Sequence, residues 1–326
     1  MKILYAYQTE AEREYVAEKL VGHELVFHLG PLGEGEAWTG EGVEAISIFV
    51  NSPIGEAELN RLPNLKLITT RSTGFDHIDA EAAKKRGVTV LSVPAYGEHT
   101  VAEFAFALLF TLSRKMFAAR EAVVREGSFD PKSFTGFDLY GKTLGVLGTG
   151  RIGKNVIKIA KGFGLKVLAF DLYPDQAFAT EQGINYLSLD EIFQQSDIIT
   201  LHLPGGQETE KIINDQAIAK FKHGMIVINT ARGSLIDTEA LVRGLTSGAV
   251  GGAGLDVLAE EGNVADEMHL LASPHPKAED LKTLLLNHYL IDHPKVVITP
   301  HMAFNTAEAL QRILDTTIDN LNNFKV

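Results

Sequence analysis

The sequence predicts an α/β protein, with a doubly wound parallel sheet in one domain and a second, smaller α/β domain beside it. Three observations predict this. The first is the stretch Lys142–Asp171, KTLGVLGTGRIGKNVIKIAKGFGLKVLAFD: a strand-like run (Thr143–Leu147), a Gly-x-Gly-x-x-Gly turn at Gly148, Gly150 and Gly153, a helical pattern, and a second strand, Lys166–Phe170, ending on Asp171. The second is the alternation of strand-sized apolar runs with short helical patterns on both sides of that stretch, which implies parallel sheets. The third is size: 326 residues, 45% of them hydrophobic, exceed what one core usually serves.

Taken in order, strands are expected at Ile3–Ala6, Glu24–Phe27, Ala45–Phe49, Leu65–Ile68 and Val88–Ser92. Helical patterns fall between them at Thr9–Leu20, Glu56–Leu62 and Ala80–Arg86, the last punctuated by Gly87. No glycine fingerprint falls here, which marks the region as a partner domain. His99–Lys115 reads as a long helix, apolar over most of its surface, with Thr100 as its cap and Glu103 at capping-box spacing. Such a helix is expected to be buried, between domains or subunits. Beyond Asp171, helices Asp190–Gln195, Asp215–Phe221 and Asp237–Leu245 alternate with strands Asp197–His202, Met225–Asn229 and Gly251–Asp256. From Glu260 to about Pro294 the pattern is less regular, with His-Pro and Asp-His-Pro breaks. Val296–Ile298 reads as a last strand and Thr306–Phe324 as an amphipathic helix.

Composition excludes several function classes. A formal charge of −12 argues against a nucleic-acid surface, which needs a basic face. With no cysteine there is no disulfide, thiolate chemistry or cysteine-ligated metal. The N-terminal MKILYAYQTEAERE turns polar after one short apolar run, unlike a signal peptide. Val101–Leu112 is interrupted by Glu103 and too short to span a bilayer. A soluble, cytoplasmic protein without membrane or nucleic-acid partners is expected.

The glycine turn carries the first chemistry. Gly148 permits a tight turn out of the strand, Gly150 lets a pyrophosphate approach the backbone, and Gly153 lets the helix sit close on the sheet. The free N–H groups at the helix start then face two phosphates. Asp171 is placed to accept from the adenosine ribose hydroxyls and would repel a 2′-phosphate, so the reading is NAD rather than NADP. The alternative is a glycine-rich turn that binds nothing.

Ligands of open α/β sheets sit beyond the carboxyl ends of the strands. Three ionisable residues fall at or just after such ends: Arg232 after MIVINT, Glu261 a few residues after AGLDV, and His301 after VVITP. A histidine can take or return a hydroxyl proton. A neighbouring glutamate fixes its tautomer and favours the imidazolium. An arginine offers two parallel donors to a carboxylate. The trio suits a 2-hydroxy acid and its 2-keto acid, and no metal is required. Each residue also has a plain structural reading: a loop-bracing His301, an Arg232 that bridges loops, a solvated Glu261 beside Glu260, and an Asp256 that braces a turn.

Six segments together resemble the D-isomer-specific 2-hydroxyacid dehydrogenases, over nearly the whole chain. They are RSTGFDHID (Arg71–Asp79), VPAYGEHTVAEF (Val93–Phe104), VLGTGRIG (Val146–Gly153), NTARGSLID (Asn229–Asp237), GLDVLAEE (Gly254–Glu261) and TPHMAFNT (Thr299–Thr306). The resemblance implies a Rossmann NAD-binding domain over residues 99–298 and a flavodoxin-like substrate domain split between 1–98 and 299–326. It makes His301 the acid/base, Glu261 its partner and Arg232 the carboxylate anchor, with the backbone N–H groups of Thr73 and Gly74 as further donors. On the cofactor side it implies Val101 at a helix start and Arg151 and Ile152 beside the pyrophosphate. His202, Leu203 and Pro204 would pass the adenine side, Asp256 would support the arrangement near the nicotinamide, and Thr230, Ala231, Arg232 and His301 would also contact the cofactor. Members are usually homodimers that close a cleft on NAD and substrate.

Within the family the chain is most similar to the D-lactate dehydrogenase branch. Tyr96, Phe304 and Phe49 match or suggest aromatic contacts to the substrate side chain, suited to pyruvate or to a branched acid such as 2-ketoisocaproate. Glyoxylate or hydroxypyruvate reduction, and an NAD-sensing interaction protein, are the alternative functions. One departure is Gly262, where relatives commonly carry proline, which leaves the loop geometry after Glu261 open.

Overall fold

The computed structural model describes residues 1–33, 40–261 and 277–325. The chain divides into two compact units, Met1–Tyr96 with Asn305–Val326, and Gly97–Phe304. Gly262 lies outside the described residues.

The first unit is built from β1 (Lys2–Tyr7), α1 (Glu10–Lys19), β2 (Glu24–Leu29), β3 (Ala45–Ile48), α2 (Glu56–Asn60), β4 (Leu67–Thr70), α3 (Ala80–Lys85) and β5 (Thr89–Leu91), completed by the helix Ala307–Asn323. Its five strands are all parallel, in the order β2-β1-β3-β4-β5. Both faces of such a sheet are covered, so the strands are apolar on both sides. Ile3 and Tyr5 of β1 face Val16, Leu20 and, from the last helix, Ile318 and Leu321. Leu4 and Ala6 face the opposite core with Ile46, Ile48, Leu59 and Ile68. α1 starts where Thr9 accepts from the Glu12 N–H, and Glu12 also pairs with the buried Arg71. The Arg71 guanidinium donates to the carbonyl of Ala6 and, at 3.4 Å, to that of Ile48, tying together the ends of β1, β3 and β4.

The second unit contains α4 (Glu98–Ser113), α5 (Met116–Glu126), β6 (Thr143–Leu147), α6 (Arg151–Gly162), β7 (Lys166–Phe170), α7 (Gln176–Gln182), β8 (Asn185–Tyr186) and α8 (Leu189–Gln195). It continues with β9 (Ile198–Leu201), α9 (Asp215–Ile218), β10 (Met225–Asn229), α10 (Thr238–Ser247), β11 (Val250–Leu255), α11 (Ala278–Asp292) and β12 (Val296–Ile298). The helix Ala307–Asn323 is therefore α12. The seven strands are parallel, in the order β12-β11-β10-β9-β6-β7-β8. The order reverses between β6 and β9, where doubly wound sheets open a crevice at the strand ends.

Two local expectations, the cap of α4 and the irregular stretch after Glu260, are corrected. α4 begins at Glu98 with Gly97 as N-cap, so Thr100 lies inside the first turn instead of capping it. Its apolar face packs on its own sheet, with Ala102, Ala105, Phe106 and Leu109 joining Ile226, Ile228 and Val297. The stretch read as irregular contains α11, which ends at Asp292, so the Asp-His-Pro break at Pro294 falls after the helix and does not interrupt it. Among the described residues, no helix is long and apolar enough to cross a membrane.

Candidate active site

The turn from β6 into α6 has the shape a pyrophosphate needs. Gly148 sits at φ +96°, and a Cβ there would lie 2.6 Å from the His202 carbonyl oxygen. Gly150 caps α6, and a Cβ on it would meet nothing within 4 Å. That open backbone, leading to the first N–H groups of α6 at Arg151 and Ile152, fits a diphosphate. Gly153 is buried one turn in. Asp171 follows β7 directly. Its Oδ2 accepts from the Thr149 N–H at 2.6 Å and hydroxyl at 2.9 Å, and its Oδ1 from the Tyr173 N–H at 2.9 Å. The carboxylate is thus fixed at the strand tip, where an adenosine ribose would present its hydroxyls. These features fit NAD.

Across the reversal, β9 runs into His202, Leu203 and Pro204. His202 Nε2 lies 2.9 Å from the Thr200 hydroxyl, and burial pushes the imidazole pKa down to about 3, so the ring is neutral. Leu203 is buried and Pro204 exposed. Val101, in the first turn of α4, is buried.

β10 ends on Asn229, whose side chain shapes the next turn. Its Oδ1 accepts from the Ala231 N–H at 3.0 Å, and its Nδ2 donates to the Arg232 carbonyl at 2.8 Å. Thr230 is buried. The Arg232 stem passes over Gly205, where a Cβ would come within 3.3 Å of Cγ, and Arg232 Nη1 donates to the Ala231 carbonyl at 2.7 Å.

β12 leads into Thr299–Ala303, a turn organised by Asp256 at the end of β11. Only 1% exposed, Asp256 accepts from the Thr299 hydroxyl at 2.5 Å and from the N–H groups of Met302 and Ala303 at 2.9 and 2.8 Å. Burial pushes its carboxyl above the ordinary range, against these hydrogen bonds and the charge of His301. The Asp256 carbonyl also accepts from the His301 N–H at 2.8 Å. His301 is held at φ +49°, unusual for a residue with a side chain.

His301 Nδ1 lies 2.8 Å from Glu261 Oε1. This hydrogen bond raises the imidazole pKa, opposed by partial burial; the charges of Glu261 and Asp256 add to the rise, and the charge of Arg232 works against it. The contact engages Nδ1 and not Nε2. The second unit therefore brings His301, Glu261 and Asp256 into one hydrogen-bonded group that feels the field of Arg232, and Phe304 follows three residues after the histidine.

Thr73, Gly74, Tyr96 and Phe49 belong to the first unit. Thr73 and Gly74 lie in the loop after β4, shaped by hydrogen bonds from the Ser72 hydroxyl to the Gly74 carbonyl (2.6 Å) and from the Thr73 hydroxyl to the Val93 carbonyl (3.1 Å). Phe49 follows β3, its ring centroid 5.9 Å from the Arg71 guanidinium carbon. The Tyr96 carbonyl accepts from Arg312 Nε at 2.7 Å. Sequence reasoning missed Asn229, Thr299 and Arg71. A polar residue closing the apolar strand before Thr-Ala-Arg was a signal for the first; the other two act through contacts distant in sequence.

Residues 106–303 match the family model described as D-isomer specific 2-hydroxyacid dehydrogenase, NAD binding domain. D-lactate dehydrogenase from Escherichia coli (strain K12) is 37% identical, over 100% of this chain and 97% of that protein. The crystal structure of D-lactate dehydrogenase from Aquifex aeolicus, complexed with NAD and lactic acid, superposes with a TM-score of 0.86 at 34% identity, over 98% of this chain and 94% of that one. D-2-hydroxyisocaproate dehydrogenase gives 0.81 at 34% identity, over 99% and 96%. A match that spans both units, and not the nucleotide fold alone, makes this chain a member of the D-isomer-specific 2-hydroxyacid dehydrogenase family, NAD-dependent oxidoreductases acting on 2-hydroxy and 2-keto acids.

Proposed function

We propose that the chain interconverts pyruvate and D-lactate with NAD, the His301–Glu261 pair supplying and removing the proton. The observation that carries this reading is the 2.8 Å contact between Nδ1 and the carboxylate, with the raised imidazole pKa. The contact commits Nδ1 to Glu261 and leaves Nε2 as the group that protonates the keto oxygen in reduction and accepts the hydroxyl proton in oxidation. Arg232 anchors the substrate carboxylate with two parallel donors. By family resemblance the N–H groups of Thr73 and Gly74 serve the same carboxylate. Asp256 sets the turn that carries His301.

When bound, NADH supplies the hydride for C2 of the keto acid. Gly148, Gly150 and Gly153, with the N–H groups of Arg151 and Ile152, hold its pyrophosphate, and Asp171 holds its ribose. His202, Leu203 and Pro204 would line the adenine side, and Val101, Thr230 and Ala231 would contact the bound cofactor. The first unit is the substrate domain. Its Phe49 and Tyr96, with Phe304, give the substrate side chain apolar surroundings. A branched acid such as 2-ketoisocaproate is the second reading, favoured by the likeness to D-2-hydroxyisocaproate dehydrogenase. One methylene shifts such a preference by only about 1–3 kcal/mol. We assign the protein to the cytoplasm as a homodimer; Phe117 and Val124 of α5, 56% and 63% exposed, favour a second copy as partner.

The test is a chirally resolved product assay with NADH and pyruvate, 2-ketoisocaproate or hydroxypyruvate. The highest kcat/KM with pyruvate, yielding D-lactate, is expected. Preference for hydroxypyruvate would replace the substrate, and NADH binding without turnover of any acid would replace catalysis with sensing.

A further inference from the structure

We propose that Asn287 is a positioning residue for the acid/base pair, holding from α11 the turn that presents Glu261 to His301. This rests on the reading of Glu261 as the partner of His301.

The turn from Val257 to Glu261 needs holding. Glu260 sits at φ +51°, a left-handed conformation that a residue with a side chain adopts at a cost. Such strain persists only where the surroundings over-determine the backbone. Two contacts do so here. On one side, a Cβ on Gly233 would lie 2.0 Å from the Leu258 carbonyl oxygen and 2.5 Å from the Ala259 nitrogen, so the backbone just after Arg232 lies directly against the turn. On the other, Asn287 Nδ2 donates to the Ala259 carbonyl at 2.8 Å. This bond fixes a carbonyl two residues before the carboxylate that meets Nδ1.

The identity of residue 287 points the same way. It is fully buried, on the same side of α11 as the buried Leu284 and Leu290. Asparagine is a weaker helix former than leucine. Its Oδ1 is buried with no hydrogen-bond partner among the described residues, a penalty that a leucine would not carry. An amide there contributes less to the core than an apolar side chain would, and its one bond goes to the turn of Glu261. α11 also packs against β12, the strand that leads to Thr299 and His301. One helix thus touches both supports of the pair: the turn of Glu261 through Asn287, and the approach to His301 through β12.

The experiment compares the full-length Asn287→Leu protein with wild type, Glu261→Gln and the double variant, reading kcat/KM for pyruvate reduction against pH and NADH affinity by fluorescence. For Asn287→Leu, kcat/KM at neutral pH should fall roughly tenfold, the order expected when a catalytic group is displaced by a fraction of an ångström. The alkaline limb of its profile should move to lower pH, because a misplaced Glu261 no longer raises the His301 pKa. NADH affinity should be unchanged, and the double variant no worse than Glu261→Gln alone. An unmoved profile, or losses that multiply in the double variant, would overturn the proposal by reducing Asn287 to a packing role. If Glu261→Gln itself leaves the profile unmoved, the parent reading fails and this inference goes with it, whatever Asn287→Leu does. Should Asn287→Leu lose NADH binding through misfolding, Asn287→Ser, which removes the amide and leaves room for water, makes the same comparison.

Discussion

His301 joins an unusual backbone to a tuned side chain. Its φ of +49° is stabilised by the 2.8 Å bond from its N–H to the Asp256 carbonyl, and its ring by the 2.8 Å contact with Glu261. The contact raises the imidazole pKa above its ordinary value of 6.5. Reduction needs the imidazolium. kcat/KM for pyruvate is therefore expected to be full at low pH and to fall as pH rises through a value above 6.5, while oxidation follows the opposite limb. His301→Gln should cut turnover by about 10²–10⁴-fold with NADH affinity retained. Steady-state rates and fluorescence titration check both, and unchanged turnover would remove His301 as the acid/base.

At the scale of elements, the turn Thr299–Ala303 depends on the carboxylate of Asp256 more than on contacts of its own. Replacing Asp256 with alanine strands three donors at a site only 1% exposed. A loss of roughly 3 kcal/mol is expected, measurable by urea titration, with a fall in kcat/KM because the imidazole loses its seat. Equal stability of Asp256→Ala and wild type would show that the turn holds without it. The elements also show what a sequence can tell. Strand, glycine turn, helix and acid in Lys142–Asp171 were legible because backbone geometry demands those residue types at those steps. α11 was not, because the prolines on either side of it suggested a broken segment and its apolar residues follow no clean stripe. α5 gave no signal either, as it starts at Lys115 in a left-handed conformation without a side-chain cap. Arg232, Glu261 and His301 were legible as charged residues near strand ends. Asn287 was not, because its role depends on a contact 28 residues away.

For the molecule as a whole, the chain leaves the first unit after Tyr96, builds the second through Phe304, and returns for α12. α12 packs Ile318 and Leu321 against Ile3 and Tyr5 of β1. Leu321 is fully buried, so Leu321→Ala should destabilise the first unit by about 2–5 kcal/mol. Denaturant unfolding checks this, with NADH affinity expected to persist because the proposed cofactor residues all lie in the second unit. Parallel loss of NADH binding would show that the two units do not hold their structure independently.

The return of the chain has a consequence for biosynthesis. Domains generally fold as they emerge from the ribosome, N-terminal first. Here the first strand made must wait for α12, which follows the entire second unit. Through most of translation the nascent chain therefore carries part of an uncovered apolar sheet, a surface that a chaperone would recognise until the last helix arrives.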